Sequence, residues 1–247
     1  MKVVVSVIYR KMFITMLMGV TLLTATVTNA RSLRTPEGNM PLVHWAVVEA
    51  TKGNMPKMIE IGSRVLASTA AKETGTYALY GALDVDSPDV MRLLEIYESN
   101  EAYRIHSTSE AFQQYRAERF PILKDLKLLE VNALALEQKN TGTGTVVYMR
   151  RLEINPVQLA KYQQLAIDES KRAVEDDDGV MGMFVTAEYA NPNVIHIMEI
   201  YKDKTAYERY INSTACNSFL KEIKPMIITE RIIQNLPTKI VLTQKGA

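Results

Sequence analysis

The sequence predicts an α+β protein made of two ferredoxin-like units, each ordered strand, helix, strand, strand, helix, strand (βαββαβ), paired sheet to sheet within one chain. Three observations predict it. Val43 and Val147, 104 residues apart, begin an alignment of the chain on itself that runs without a gap for about 95 positions. Each copy alternates short apolar, β-branched runs with stretches of helical period. Two helices can cover only one face of a four-stranded sheet, so each copy leaves an apolar face that the other must cover.

The alignment pairs Glu49 with Glu153, Gly75 with Gly179, Pro88-Asp-Val90 with Pro192-Asn-Val194, and Glu95-Ile-Tyr97 with Glu199-Ile-Tyr201. Ala102-Tyr103 meets Ala206-Tyr207, and Pro121 meets Pro225. The domains are therefore placed at 41–137 and 144–243, joined by the short polar link Gln138–Gly144.

Leu42–Glu49 and Thr145–Glu153 read as first strands. Met55–Ala71 and Leu159–Val174 carry apolar residues at helical spacing, and Gly75 and Gly179 follow them in the place of a chain-reversing glycine. Second strands are expected at Tyr77–Leu83 and Val180–Glu188. The turns Asp86-Ser-Pro88 and Ala190-Asn-Pro192 lead to third strands ending at Tyr97 and Tyr201. Second helices begin near Asn100 and Lys204, with a break near Ser107. Leu128–Leu136 and Arg231–Leu242 are the expected fourth strands, the latter interrupted by Pro237.

Composition narrows the function classes. Of 247 residues, 47% are hydrophobic and 23% charged, the balance of a chain with a packed core. Lys and Arg number 29 against 28 Asp and Glu, so no basic excess points to nucleic acid. Three of the basic residues, Lys2, Arg10 and Lys11, lie in the first thirty, which contain no acid. They precede the apolar run Met12–Val27, shorter than a membrane span, and the small-residue end Thr28-Asn-Ala30. Residues 1–30 therefore read as a signal peptide. The remainder is expected to be exported, periplasmic or secreted, with no membrane association after cleavage. Cys216 is the only thiol, so an internal disulfide is excluded.

Spacing offers few catalytic patterns. His44, His106 and His196 form no metal-binding spacing, and Glu175-Asp-Asp-Asp178 lacks the alternating ligands of a calcium loop. No metal and no phosphate-binding loop is expected. Glu95 shares a strand face with Tyr97 by alternation, and an acid there needs an Arg or Tyr partner. Tyr103 and His106 lie on one face of the following helix.

Leu94-Glu-Ile-Tyr-Glu-Ser-Asn-Glu-Ala-Tyr-Arg-Ile-His106, followed by Ser-Thr-Ser-Glu-Ala-Phe112, resembles the antibiotic biosynthesis monooxygenase family, a branch of the dimeric α/β-barrel superfamily. Glu95, Tyr97, Ala102 and His106 stand where that family has its acid, aromatic, Ala and His. The second copy is similar through Glu199, Tyr201 and Ala206 but carries Tyr210 in place of the His. The resemblance implies a pseudo-dimeric α/β barrel formed within one chain. It also implies a cofactor-independent monooxygenase that oxidises a small aromatic or quinol ligand with dioxygen. On that basis His106 and Glu95 are the expected catalytic residues, with Tyr97, Tyr103, Trp45 and Tyr115 about the substrate. The alternative is an exported barrel that binds a small molecule or serves a structural role without turnover. A homo-oligomer is compatible with either. Haem breakdown is disfavoured, because the first strand offers His44 and Trp45 but no Asn.

Overall fold

The computed structural model describes residues 29–70, 72–84, 86–232 and 238–245. All of the expected signal peptide except Asn29 and Ala30 lies outside the described residues. In the first repeat the order is β2 (Leu42–Ala50), α1 (Met55–Ala70), β3 (Thr76–Leu83), β4 (Val90–Tyr97), α2 (Asn100–Thr108), α3 (Glu110–Arg119) and β5 (Leu123–Lys139). The second runs β6 (Val146–Ile154), α4 (Leu159–Asp176), β7 (Val180–Glu188), β8 (Val194–Tyr201), α5 (Lys204–Ile211), α6 (Thr214–Ile223), β9 (Ile227–Ile232) and β10 (Thr238–Lys245). A short β1 (Ala30–Ser32) adds to the end of β5.

The duplication is visible in the hydrogen-bond register. Leu42 pairs with Tyr97 and His44 with Glu95; Val146 pairs with Tyr201 and Tyr148 with Glu199. Each repeat is a ferredoxin-like antiparallel sheet, and the two sheets close on each other. Strand β5 pairs with β2 through Leu123–Val131, then continues onto β7 through Val131–Gln138. Strand β9 pairs with β6, and β10 reaches across to β3. The strand order β5-β2-β4-β3-β10-β6-β8-β7 therefore returns to β5 and forms a closed ring. Closure removes the edges that two separate sheets would expose.

Alternation along each strand divides the core. Val43 and Trp45 point into the barrel, where they pack with Tyr80, Leu94, Met149 and Phe184. Ala46, Val48 and Met91 point outward onto Met55, Met58 and Ile61 of α1. In the second repeat Leu152, Ile195 and Ile197 meet Tyr162 and Ala166 of α4. All eight residues of β8 are buried, as expected of a strand covered on both faces.

Four local expectations are corrected. The first fourth strand is longer than Leu128–Leu136, because Asp125 and Lys127 keep their charges in water while their backbone still pairs with β2. In the second copy the strand begins earlier and ends later than Arg231–Leu242, as β9 from Ile227 and β10 to Lys245, with the second segment starting at Thr238 after the expected interruption at Pro237. The break in the second helices falls at Ser109 and Ser213, each of which caps the next helix by accepting from the backbone N–H of Phe112 or Cys216.

Gly75 and Gly179 are not among the glycines with positive φ. Their absent side chains serve close packing instead: a Cβ at Gly75 would stand 2.7 Å from that of Ala102, and one at Gly179 2.5 Å from that of Ala206. The recurrent Ala on the following helix is the other half of that contact. Gly179→Ala is therefore expected to destabilise the fold by about 1–3 kcal/mol through overpacking. Thermal unfolding checks this, and an unchanged Tm contradicts it.

Candidate functional site

In the first repeat β4, α2 and α3 bring most of the expected site residues together. Glu95 accepts from the Tyr97 hydroxyl at 3.2 Å. The Tyr97 ring lies 5.2 Å from Tyr103 and 5.4 Å from His106, whose ring is 4.8 Å from Phe112. Phe112 meets Tyr115 at 5.6 Å, and the Arg119 guanidinium stacks over Tyr115. His106 is buried, and its Nδ1 lies 2.7 Å from Glu73 Oε2. This chain of rings fills the space between sheet and helices. Of the grooves beside it, one of about 100 Å³ is lined by Ile61 and Tyr115, and two of about 250 and 390 Å³ run along Glu73 and Ile105; none is lined by His106 or Glu95.

Trp45 does not join this group. It lies on the opposite face of the sheet, inside the barrel, where its Nε1 donates to Thr186 Oγ1 at 3.0 Å and its ring lies 5.8 Å from His196. One-residue alternation from His44, which faces Tyr103, carries it there.

The same space in the second repeat is open. A cavity of about 470 Å³ lies between the β6–β8–β7 face and α4, α5 and α6. Arg150, Tyr162, Glu199, Tyr207, Tyr210 and Cys216 are among the residues that line it. The equivalent first-repeat positions are Ala46, Met58, Glu95, Tyr103, His106 and Phe112. Replacing the Phe112 ring by the Cys216 thiol makes room, and apolar Ala46 and Met58 become polar Arg150 and Tyr162.

Electrostatics within the cavity are largely paired. Arg150 Nη2 bonds Glu199 Oε1 at 2.5 Å, and the Tyr201 hydroxyl donates to Glu199 Oε2 at 2.7 Å. Tyr210 donates to Glu169 Oε1 at 2.7 Å, and Arg172 holds the same carboxylate. Burial opposes the Arg150 charge, but Glu199 more than offsets it and leaves the guanidinium firmly protonated. Burial also pushes the Tyr148 hydroxyl up to about 12 and the Cys216 thiol up to about 11, and it raises Tyr162 and Tyr210 further. These groups are neutral donors near pH 7. Cys216 is no thiolate nucleophile. Among the described residues no group of three or more His, Cys, Asp or Glu side chains is placed to hold a metal ion.

Arg150, Tyr162 and the lining role of Cys216 are absent from the sequence-based site. The signal for them was the position-by-position difference between the copies, above all Ala46 against Arg150 and Phe112 against Cys216.

Glu95 carries a different consequence. Burial pushes its pKa up to about 7, against the opposing pull of the Tyr97 hydrogen bond and Arg119. The folded protein therefore holds that proton more tightly than the unfolded chain, and ionising Glu95 costs stability as pH rises from about 4.5 to 7. Glu95→Gln is expected to remove this loss, and to be more stable than wild type at pH 8 by about 1–3 kcal/mol. Denaturant titrations at pH 5 and 8 check the effect. A variant less stable than wild type at pH 8 contradicts it.

Residues 41–118 match the family model for antibiotic biosynthesis monooxygenase. Solved structures similar to the chain include putative monooxygenases of Lactobacillus acidophilus NCFM and Fusobacterium nucleatum. The first is 13% identical with a TM-score of 0.77, covering 84% of this chain and 97% of that one. The second is 16% identical with a TM-score of 0.74, covering 83% and 94%. An anthrone oxidase-like protein matches at 12% identity and a TM-score of 0.56, covering 88% and 96%. At these identities the likeness is one of fold, and it spans both repeats. Among curated proteins nothing matches the chain. Residues 41–118 thus resemble the antibiotic biosynthesis monooxygenase family, and the whole chain shares its fold with these solved structures.

Proposed function

We propose that the protein is an exported monooxygenase that oxidises a small aromatic phenol or quinol with dioxygen, without a bound cofactor, in the cavity of the second repeat. The observation that carries this reading is the cavity itself, which opens to solvent beside Lys224 and Glu230. Its volume lies in the range of ligand pockets, and Val185, Ile197, Phe219, Leu220 and Ile223 supply an apolar wall. Export is supported by the basic start and apolar run of residues 1–30.

The chemistry asks little of the protein. A phenol bound against these walls is shielded from water and oriented by the tyrosine hydroxyls. The Glu199 carboxylate, the acid held inside the cavity by Arg150, accepts the phenolic proton. The phenolate so formed is the electron donor to dioxygen. One oxygen atom becomes a new ring carbonyl, and the other leaves as water with the displaced ring hydrogen and the phenolic proton. His106, sealed against Glu73 and Phe112, takes no part in this scheme.

Oxygen uptake with naphthols, naphthohydroquinones and anthrones tests the proposal. Uptake above autoxidation is expected, and Cys216→Phe, which restores the first repeat's ring, is expected to reduce it at least about 100-fold. Loss with His106→Gln and none with Cys216→Phe would return the site to the first repeat. Ligand binding without uptake would make the barrel a non-catalytic carrier.

A further inference from the structure

The first half of β5 runs ahead of the point where the ring closes. Leu123–Val131 pair with β2 on one side, and β7 joins the other side only from Val131 onward. The Glu130 carbonyl accepts from the Tyr189 N–H at 3.0 Å, so Glu130 turns its backbone groups away from β2. By alternation Leu126 and Leu128 do the same. The Leu126 N–H is met by the carboxylate of its neighbour Asp125 at 2.9 Å, and among the described residues no strand pairs with Leu128 on that side. This stretch is a free strand edge, and large hydrophobic side chains gather along it. Leu128, Tyr189 beside Glu130, and Phe120 in the turn leading into β5 are all exposed.

An exposed edge is a template for a further strand, and charged side chains are the common deterrent. Here the charges complement themselves. Asp125 and Lys127 are exposed and share one face of β5. Two copies of β5 related by a two-fold axis pair antiparallel, and the residue on the axis defines the register. With Leu126 on the axis, Asp125 of each copy stands opposite Lys127 of the other. Moving the axis by one residue sets Asp125 against Asp125 or Lys127 against Lys127. Leu126 turns both backbone groups outward, so the two copies exchange N–H to C=O bonds there. The flanking Asp125–Lys127 pairs then fall at the positions where side chains on paired strands approach most closely. The same register brings Glu130 and Tyr189 of each copy toward the Phe120–Ile122 turn of the other. Strand β9, equivalent to this half of β5, carries Thr229 and Arg231 at the two charged positions and has no such match. One self-complementary edge per chain closes as a dimer and does not propagate into a filament.

We propose that the protein forms a two-fold dimer through the β5 edge, with a second copy of this chain continuing the first-repeat sheet across Leu126. The interface is remote in sequence from the cavity-lining residues and does not depend on turnover there.

Sedimentation velocity of the purified protein tests the dimer. Reversible dimer formation is expected at or below about 100 μM. Lys127→Asp and Asp125→Lys each place like charges opposite one another at both sites, and each is expected to weaken the dimer about tenfold or more. The double exchange Asp125→Lys with Lys127→Asp restores opposite charges and is expected to return affinity to within about threefold of wild type. A merely structural role for either residue would show no such rescue. A monomer at about 100 μM, which would leave the edge to a segment of another protein, overturns the proposal. So does a dimer that neither single variant weakens, or a double variant no tighter than the singles.

Discussion

The fold depends on one constraint: β5 and β10 must each leave their own repeat and pair with the other. Strand β5 does so by running seventeen residues, the first part on β2 and the last on β7. Strand β10 does so by reaching β3. These crossings close the ring, bury the apolar inner faces of both sheets and leave the outer faces to the helices. The barrel core of Trp45, Tyr80, Leu94 and Phe184 exists only because the sheets face each other. So the two repeats are halves of one structure, and each helix layer is positioned by a frame that neither repeat makes alone.

Within that common frame the two helix layers diverged. Both repeats keep the acid, the tyrosine two residues later and the small Ala on the next helix, and in both the tyrosine hydroxyl donates to the acid. The first repeat then fills its interior with His106, Phe112, Tyr115 and Arg119, linked ring to ring and tied to Glu73. The second has Tyr210, Cys216, Phe219 and Ile223 there, and moves its arginine to the sheet as Arg150. An arginine stacked on Tyr115 is a packing element. An arginine buried on β6 beside Glu199 is part of a cavity wall. The family model matches the repeat whose interior is filled, so the motif marks ancestry and fold more directly than it marks the open site.

Much of this was legible in the sequence. The constant offset foretold that the two copies share one fold, which the equivalent pairings of His44 with Glu95 and Tyr148 with Glu199 bear out, and the period of each segment gave the element order. The need of Glu95 and Glu199 for a partner followed from alternation and burial cost alone. Two things were hidden for physical reasons. Alternation says that His44 and Trp45 point to opposite faces, but it does not say which face meets the helices when both are buried and apolar. The cavity was hidden because empty space is a difference in volume among side chains on four separate elements. Cys216 looks like an ordinary small core residue until the sheet and α4 are set opposite it. The motif drew attention to His106, whereas the room lay where the motif had lost its histidine.

The central claim is that the two equivalent interiors differ, the first packed around His106 and Phe112 and the second open to a ligand. Methyl NMR of protein labelled at its methionines reads this directly, because Met183 lines the second-repeat cavity while Met58 and Met91 sit in the first-repeat helix layer. Titration with an aromatic ligand is expected to shift the Met183 methyl and leave Met58 and Met91 in place. Shifts confined to Met58 and Met91, with Met183 unmoved, would contradict the account.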